Sequence, residues 1–303
     1  MVTFLSAGVG YFFIDYFKES FIGIKGNDLS FDLVFLIAIA VTSIPVISKI
    51  FFDIGVIKTR FASIVLTTST IQDLFLWILL NITINAATNQ DLTLMSNLKT
   101  AFLTLFLFIA VKVISHFLEK ISFRMNTIDF FTLSFVVLFL SIAFLNMIHI
   151  NPMYTSFLVG LLIKNINNHQ ELREKVSGLS DMAFSFFIPV YFALIGIQLN
   201  IMHEFSFSMF IFFLVLACLL KFLGCYIGLN FVKISNISRI NFAITMNARG
   251  GPGIVLASVA YYYQIINVSF FTTLILTVLI SSMMAGYWLR YQKNKNINIF
   301  SEF

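Results

Sequence analysis

The sequence predicts an all-α membrane protein of about ten transmembrane helices, on three observations. Of 303 residues, 59% are apolar and only 11% charged, with a mean hydropathy of +0.94, whereas soluble domains hold about 45–50% and 25%. Stretches free of Asp, Glu, Lys and Arg run over 130–163, 182–203, 205–220 and 250–289, and a spanning helix needs only about 20 such residues. The basic residues, finally, are concentrated in every second connection. Together these exclude a water-soluble fold.

Apolar runs read against turn and charge punctuation place helices near 1–16, 32–51, 60–84, 99–118, 129–148, 151–164, 180–200, 206–231, 238–262 and 268–290. The first 14 residues carry neither a basic leader nor a small-residue cleavage site, so they read as a retained helix rather than a signal peptide. The 130–163 run makes two spans only by turning at His149-Ile150-Asn151-Pro152, where proline fixes the backbone and lacks an N–H. Cys218 and Cys225 are the only cysteines. Seven residues apart on one helix, they cannot bridge each other and read as small core residues. No linker, charge block or G-x-G-x-x-G motif divides the chain, which reads as one membrane domain over 1–303.

The connections after the second, fourth, sixth, eighth and tenth helices hold Lys58, Arg60, Lys120, Arg124, Lys164, Arg173, Lys175, Lys233, Arg239, Arg290, Lys293 and Lys295. The other set holds only Lys18, Lys25 and Lys99. By the positive-inside rule the richer set and the C-terminus are cytoplasmic, in a multi-pass protein of the cell membrane. The formal charge of +5 is thereby a matter of topology, and no nucleic-acid partner is expected.

Four basic residues remain within spans: Lys49, Lys112, Lys221 and Arg249. Lys49 and Lys112 lie near helix ends, where long side chains snorkel to the interface. Lys221 and Arg249 are deeper. Of fourteen acids, only Asp73 falls near the middle of a span. A charge there costs roughly 2.5–3.5 kcal/mol on insertion scales, so such a residue marks an ion or proton path. The plainer reading is a structural pair with Arg249 or Lys221, but that leaves the nearby backbone breaks unexplained.

Those breaks are at Thr42-Ser43-Ile44-Pro45 in the second helix and Asn247-Ala248-Arg249-Gly250-Gly251-Pro252-Gly253 in the ninth. Pro45, Gly250, Gly251, Pro252 and Gly253 are the helix-breaking positions, because proline removes an intrahelical bond and glycine makes regular helix costly. In lipid, freed backbone groups are tolerated only where they line a cavity or are buried in protein. Interrupted helices in both halves of a chain are the best sequence pointer to a midplane site. Gln72 and Asp73 follow the first break in the next helix. With Thr42, Ser43 and freed carbonyls they form an oxygen-rich candidate site for a hard cation, with Asp73 its one charged ligand. Arg249 and Lys221 are the candidates for charge compensation.

At these three segments, spaced by a six-helix interval, the sequence resembles the monovalent cation:proton antiporter-2 family of sodium/hydrogen exchangers. The resemblance covers nearly the whole chain and extends to Phe157-Leu158-Val159-Gly160, to Pro189 through Gly196, and to Lys221. It implies an inverted repeat with two broken, crossing helices and an acid that takes either H⁺ or the cation, Na⁺ or K⁺. It also implies a homodimer whose core moves like an elevator, and no cofactor beyond the transported ions. Gln72 precedes Asp73 as in the potassium-efflux branch, whereas members with paired aspartates are associated with electrogenic exchange. One titratable acid therefore points to electroneutral exchange. Relative to the family pattern, about three helices' worth of sequence is lacking upstream of residue 32.

Two other classes fit parts of the sequence. A carrier of organic anions would use Arg249 and half-helix N-termini, and would need Arg249 more than Asp73. An intramembrane enzyme needs convergent nucleophiles, metal ligands or acid–base pairs. His116, His149, His169 and His203 sit near helix ends or in connections, without ligand spacing.

Overall fold

The computed structural model describes residues 2–88, 94–119, 127–148, 150, 152–164, 183–199, 205–231 and 234–295. In chain order the α-helices are α1 (Val2–Gly10), α2 (Ile14–Phe21), α3 (Asp28–Ala40), α4 (Ile44–Asp53), α5 (Arg60–Thr88), α6 (Leu94–Glu119), α7 (Thr127–Met147), α8 (Pro152–Lys164), α9 (Ile188–Gln198), α10 (Phe207–Gly228), α11 (Asn236–Thr245), α12 (Gly250–Tyr262) and α13 (Val268–Lys295). Six segments among the described residues are long and apolar enough to cross a membrane: Asp28–Asp53, Arg60–Thr88, Leu98–Leu118, Phe130–Met147, Phe207–Gly228 and Val268–Lys295. The molecule is an all-α, multi-pass membrane protein. His149 and Asn151 of the expected hairpin, His169, His203, and Lys120, Arg124, Arg173, Lys175 and Lys233 of the basic set lie outside the described residues.

The chain groups into two compact units, Met1–Gln90 with Leu199–Phe303, and Asp91–Gln198. In the first, α1 runs through a 3-10 turn at Tyr11–Phe13 into α2, so the N-terminal helix ends at Phe21 rather than near residue 16. Lys18 thereby sits inside a helix. Its charge is met by two acids across the turn, Asp28 at 3.2 Å and Asp32 at 2.8 Å. The next helix begins at Asp28, four residues before the expected boundary, because Asn27 and Ser30 form a reciprocal capping box that satisfies the first N–H groups. The Asn27 amide also donates to the carbonyl of Ala86 near the end of α5, at 2.6 Å.

Two apolar cores flank the interruption between α3 and α4. On the α3 side, Phe17, Phe21, Phe35, Phe213 and Phe270 pack ring against ring, with Phe21 and Phe270 stacked at 4.7 Å and Phe35 edge-on to Phe213 at 5.5 Å. Such pairs contribute about 0.5–1.5 kcal/mol each beyond the area they bury, and they join α2, α3, α10 and α13. On the α4 side, Ile47, Phe51, Phe61, Val65, Phe242, Met246 and Leu289 close a second core from α4, α5, α11 and α13. The interrupted backbone lies between the two.

In the second unit α8 packs against α6 and α7. Tyr154 is buried at the start of α8 and donates its hydroxyl to the Thr104 carbonyl of α6 at 2.7 Å. Leu158 and Val159 of the Phe157–Gly160 segment are buried, and Gly160 is exposed. A π-helical turn at Ala183–Phe187 leads into α9, which carries the Pro189–Gly196 segment.

Candidate ion-binding site

Both expected breaks are present. Val41 and Ser43 are extended between α3 and α4, so the helix stops at Ala40, and Pro45 falls in the first turn of α4, where its missing N–H costs nothing. In the other segment, Met246 to Ala248 separate α11 from Arg249 and α12. The two breaks touch through their backbones. Ser43 N donates to the Ala248 carbonyl at 2.7 Å, and the Thr42 hydroxyl lies 3.0 Å from the Met246 carbonyl. Gly250, at φ +39°, is what permits the approach: a Cβ there would lie 2.4 Å from Ser43 Oγ and from Val46 Cγ2. Its N–H donates to Ser282 Oγ of α13 at 3.1 Å. Gly253 matters for packing as well, since a Cβ would meet Val278 Cγ2 at 2.6 Å. Gly251 has open space and Pro252 is partly buried.

The face of α5 that meets the breaks carries Ser69, Gln72, Asp73 and Leu76, spaced three and four apart as one helical face requires. Gln72 Oε1 accepts from the Thr42 hydroxyl at 2.9 Å and from Lys221 Nζ at 3.3 Å. Thr42 has one proton to share between Gln72 and Met246, so these two bonds alternate. The neighbouring Ser69 hydroxyl contacts Met246 Sδ at 3.7 Å. Asp73 is half-buried, and its Oδ1 is fully enclosed with no hydrogen-bond partner among the described residues. Asn247 Oδ1 is enclosed and unpartnered in the same sense, while Asn247 Nδ2 donates to the Ala243 carbonyl. Among the described residues, no basic atom lies within 4 Å of Asp73.

The two buried cations serve mainly the cut end of α3. Arg249 Nε donates to the Ala38 carbonyl at 3.2 Å, and Lys221 Nζ donates to the Ala40 carbonyl. A helix leaves its last four carbonyls without partners, and positive charge is favourable there. Arg249 also reaches the Ala217 carbonyl of α10 at 2.8 Å, the Asn247 carbonyl at 3.4 Å and Cys218 Sγ at 3.6 Å. Its guanidinium is thus a clasp among α3, α10 and the second break. Of the two cations, Lys221 is the one that also bonds Gln72, the neighbour of Asp73 on α5. Replacing Arg249 by Lys keeps the charge but not the fork, so we expect a stability loss of about 1–2 kcal/mol, read as a lower thermal midpoint in detergent.

The structure thus brings the expected Thr42, Ser43, Gln72, Asp73, Lys221 and both breaks to one place, and it puts Arg249 beside them with no carboxylate within 4 Å among the described residues. The sequence expects freed carbonyls without saying which; they are those of Ala38, Ala40, Met246 and Ala248, and Ser69, one turn before Asp73, is the residue that it misses. The carbonyls had one available signal, since a helix stopped by Pro45 must strand the groups preceding it. Lys49 and Lys112 are exposed, as snorkelling residues would be, with Lys49 paired to Asp53 at 2.9 Å. Cys218 and Cys225 are free thiols.

A family model described as sodium/hydrogen exchanger, transmembrane, matches residues 1–291. The chain is 24% identical over 268 residues to a Na⁺/H⁺ antiporter of Enterococcus hirae, covering 86% of this chain and 69% of that protein. A probable Na⁺/H⁺ antiporter 3 of Methanocaldococcus jannaschii is 24% identical over 282 residues, 91% of this chain and 70% of that one. The Na⁺/H⁺-K⁺ antiporter GerN of Bacillus cereus is 23% identical over 253 residues, 82% and 65% respectively. The chain therefore spans between 65% and 70% of the length of these three relatives.

Proposed function

Because the chain belongs to the sodium/hydrogen exchanger family, we propose that it is a secondary transporter exchanging a monovalent cation, Na⁺ or K⁺, for H⁺ at Asp73. The family is one of ion exchangers, and the chain is a transporter rather than an enzyme. The observation that carries the Asp73 assignment is its enclosed, unpartnered carboxylate oxygen inside a span, beside two interrupted helices. A carboxylate oxygen is a suitable ligand for a hard cation and equally a proton acceptor, so each excludes the other. Asn247 Oδ1, unpartnered and enclosed, is a second oxygen available to the cation. Gln72 is held away from that role by Thr42 and Lys221, and it positions α5 against the first break.

With a single acid, one H⁺ is exchanged for one cation. No net charge crosses, so the roughly 2.3 kcal/mol that a charge gains per 100 mV does not bias turnover. Alternating access presents Asp73 to each side in turn, within a single transport domain that works as a homodimer with its C-terminus cytoplasmic. An anion carrier built on Arg249 has less support, because Nε, Nη1 and Nη2 of that residue all donate to protein acceptors.

The test is to add Na⁺ or K⁺ to everted vesicles containing the chain and follow ΔpH, with and without an imposed membrane potential. We expect a cation-evoked ΔpH whose rate does not respond to potential. No ΔpH with either cation would refute exchange, and potential-dependent rates would refute one-for-one coupling.

A further inference from the structure

We propose that the pocket where α4 ends beside the last turns of α13 binds the phosphate of an anionic phospholipid headgroup. The pocket is open, about 240 Å³, and lined by Asp53, Ile54, Arg290, Lys293 and Asn294. Three basic side chains gather here around one acid. Lys49 Nζ lies 2.9 Å from Asp53 Oδ1, and Arg290 Nη2 lies 3.7 Å from Asp53 Oδ2. Lys293 has no carboxylate within 4 Å among the described residues. Its ammonium lies over the tight turn that follows α4, 3.5 Å from where a Cβ on Gly55 would stand, and Gly55 at φ +72° is the residue that makes the turn. Asp53 therefore orients Lys49 and Arg290 without neutralising the group.

The position in the fold selects the ligand. The candidate spans Asp28–Asp53 and Val268–Lys295 both finish here, which puts the pocket at the boundary between hydrocarbon and headgroups. It is also the side on which the sequence concentrates its basic connections. The flanking surface is amphipathic: Tyr287 and Tyr291 of α13 and Phe52 of α4 are exposed, and Lys295 sits over the Tyr291 ring at 4.7 Å. Tyrosines at headgroup depth are the usual interfacial anchors. Arg290 supplies a planar fork suited to a phosphate and Lys293 a point charge. A lipid phosphate would be received by both, with its acyl chains against Phe52. Neither the pocket nor its residues belong to the Asp73 site, so lipid binding and exchange stand or fall separately.

The whole chain, purified and placed in mixed micelles of phosphatidylcholine with increasing phosphatidylglycerol, gives the test, with retained lipid counted by native mass spectrometry. We expect wild type to retain phosphatidylglycerol in preference to phosphatidylcholine. The preference should fall roughly fivefold per charge removed in Arg290→Gln/Lys293→Gln. It should rise in Asp53→Asn, which frees Lys49 and Arg290, and stay at the wild-type level in Lys112→Gln. Unchanged retention in the double variant, no gain in Asp53→Asn, or an equal loss in Lys112→Gln would overturn the site. Inorganic phosphate raising the thermal midpoint as much as phosphatidylglycerol does would overturn the lipid assignment.

Discussion

Asp73→Asn should abolish cation-driven proton movement in proteoliposomes while leaving the protein folded. The substitution keeps size and shape but removes the one group in the middle of a span that can both release a proton and carry the charge that attracts a cation. Losing a proton-transferring group costs roughly 10²-fold or more in rate, and here the same loss also removes the ion's ligand. The carboxylate makes no hydrogen bond to the described residues, and Gln72, Thr42 and Lys221 hold α5 in place without it. The thermal midpoint is therefore expected to stay level or to rise, since a charge at a costly depth has gone. The pairing of lost exchange with retained stability separates this outcome from unfolding. Wild-type exchange by the variant would refute Asp73 as the place where cation and proton compete.

Gly250→Ala should be the most destabilising small substitution in the crossing. At φ +39° any side chain takes on the left-handed penalty of about 1–2 kcal/mol. The added methyl would also stand 2.4 Å from Ser43 Oγ and Val46 Cγ2, and overpacking a filled interior costs typically 1–3 kcal/mol. Together these give a loss of about 3 kcal/mol, visible as a lower midpoint in detergent and as slowed exchange, because the Ser43–Ala248 backbone bond has to give way. Gly251→Ala, one residue along the same backbone but with open space around it, is the control and should change the midpoint little. Equal effects of the two would show that the close approach of the breaks is not what Gly250 provides.

Most of the helical layout is legible in the sequence, and the boundaries that differ have local causes. The sequence places the second helix from near residue 32, whereas it begins at Asp28, where the capping box of Asn27 and Ser30 starts it. Lys18 meets Asp28 and Asp32 across the turn between the two helices. The sequence puts Lys18 in a connection because the first helix is expected to end near residue 16, whereas that helix runs to Phe21. The ends near 51 and 84 moved outward to Asp53 and Thr88, since polar residues can continue a helix once apolar burial has established it. The breaks themselves were legible because proline and clustered glycines act on the backbone wherever they fall.

What the amino-acid order determined alone is the membrane class, the two interruptions, and the isolation of Asp73, each of which follows from residue type and depth. What the tertiary structure alone decided is the use of the buried cations. Two positive side chains and one acid suggest a pair of Asp73 with Arg249 or with Lys221. Instead Arg249 and Lys221 take the stranded carbonyls of Ala38 and Ala40, and Lys221 also reaches Gln72 beside Asp73. Pro45 marks in the sequence that carbonyls before it are stranded, but a carbonyl oxygen is the same in every residue, so which of them each buried cation meets is decided only where the two breaks come together.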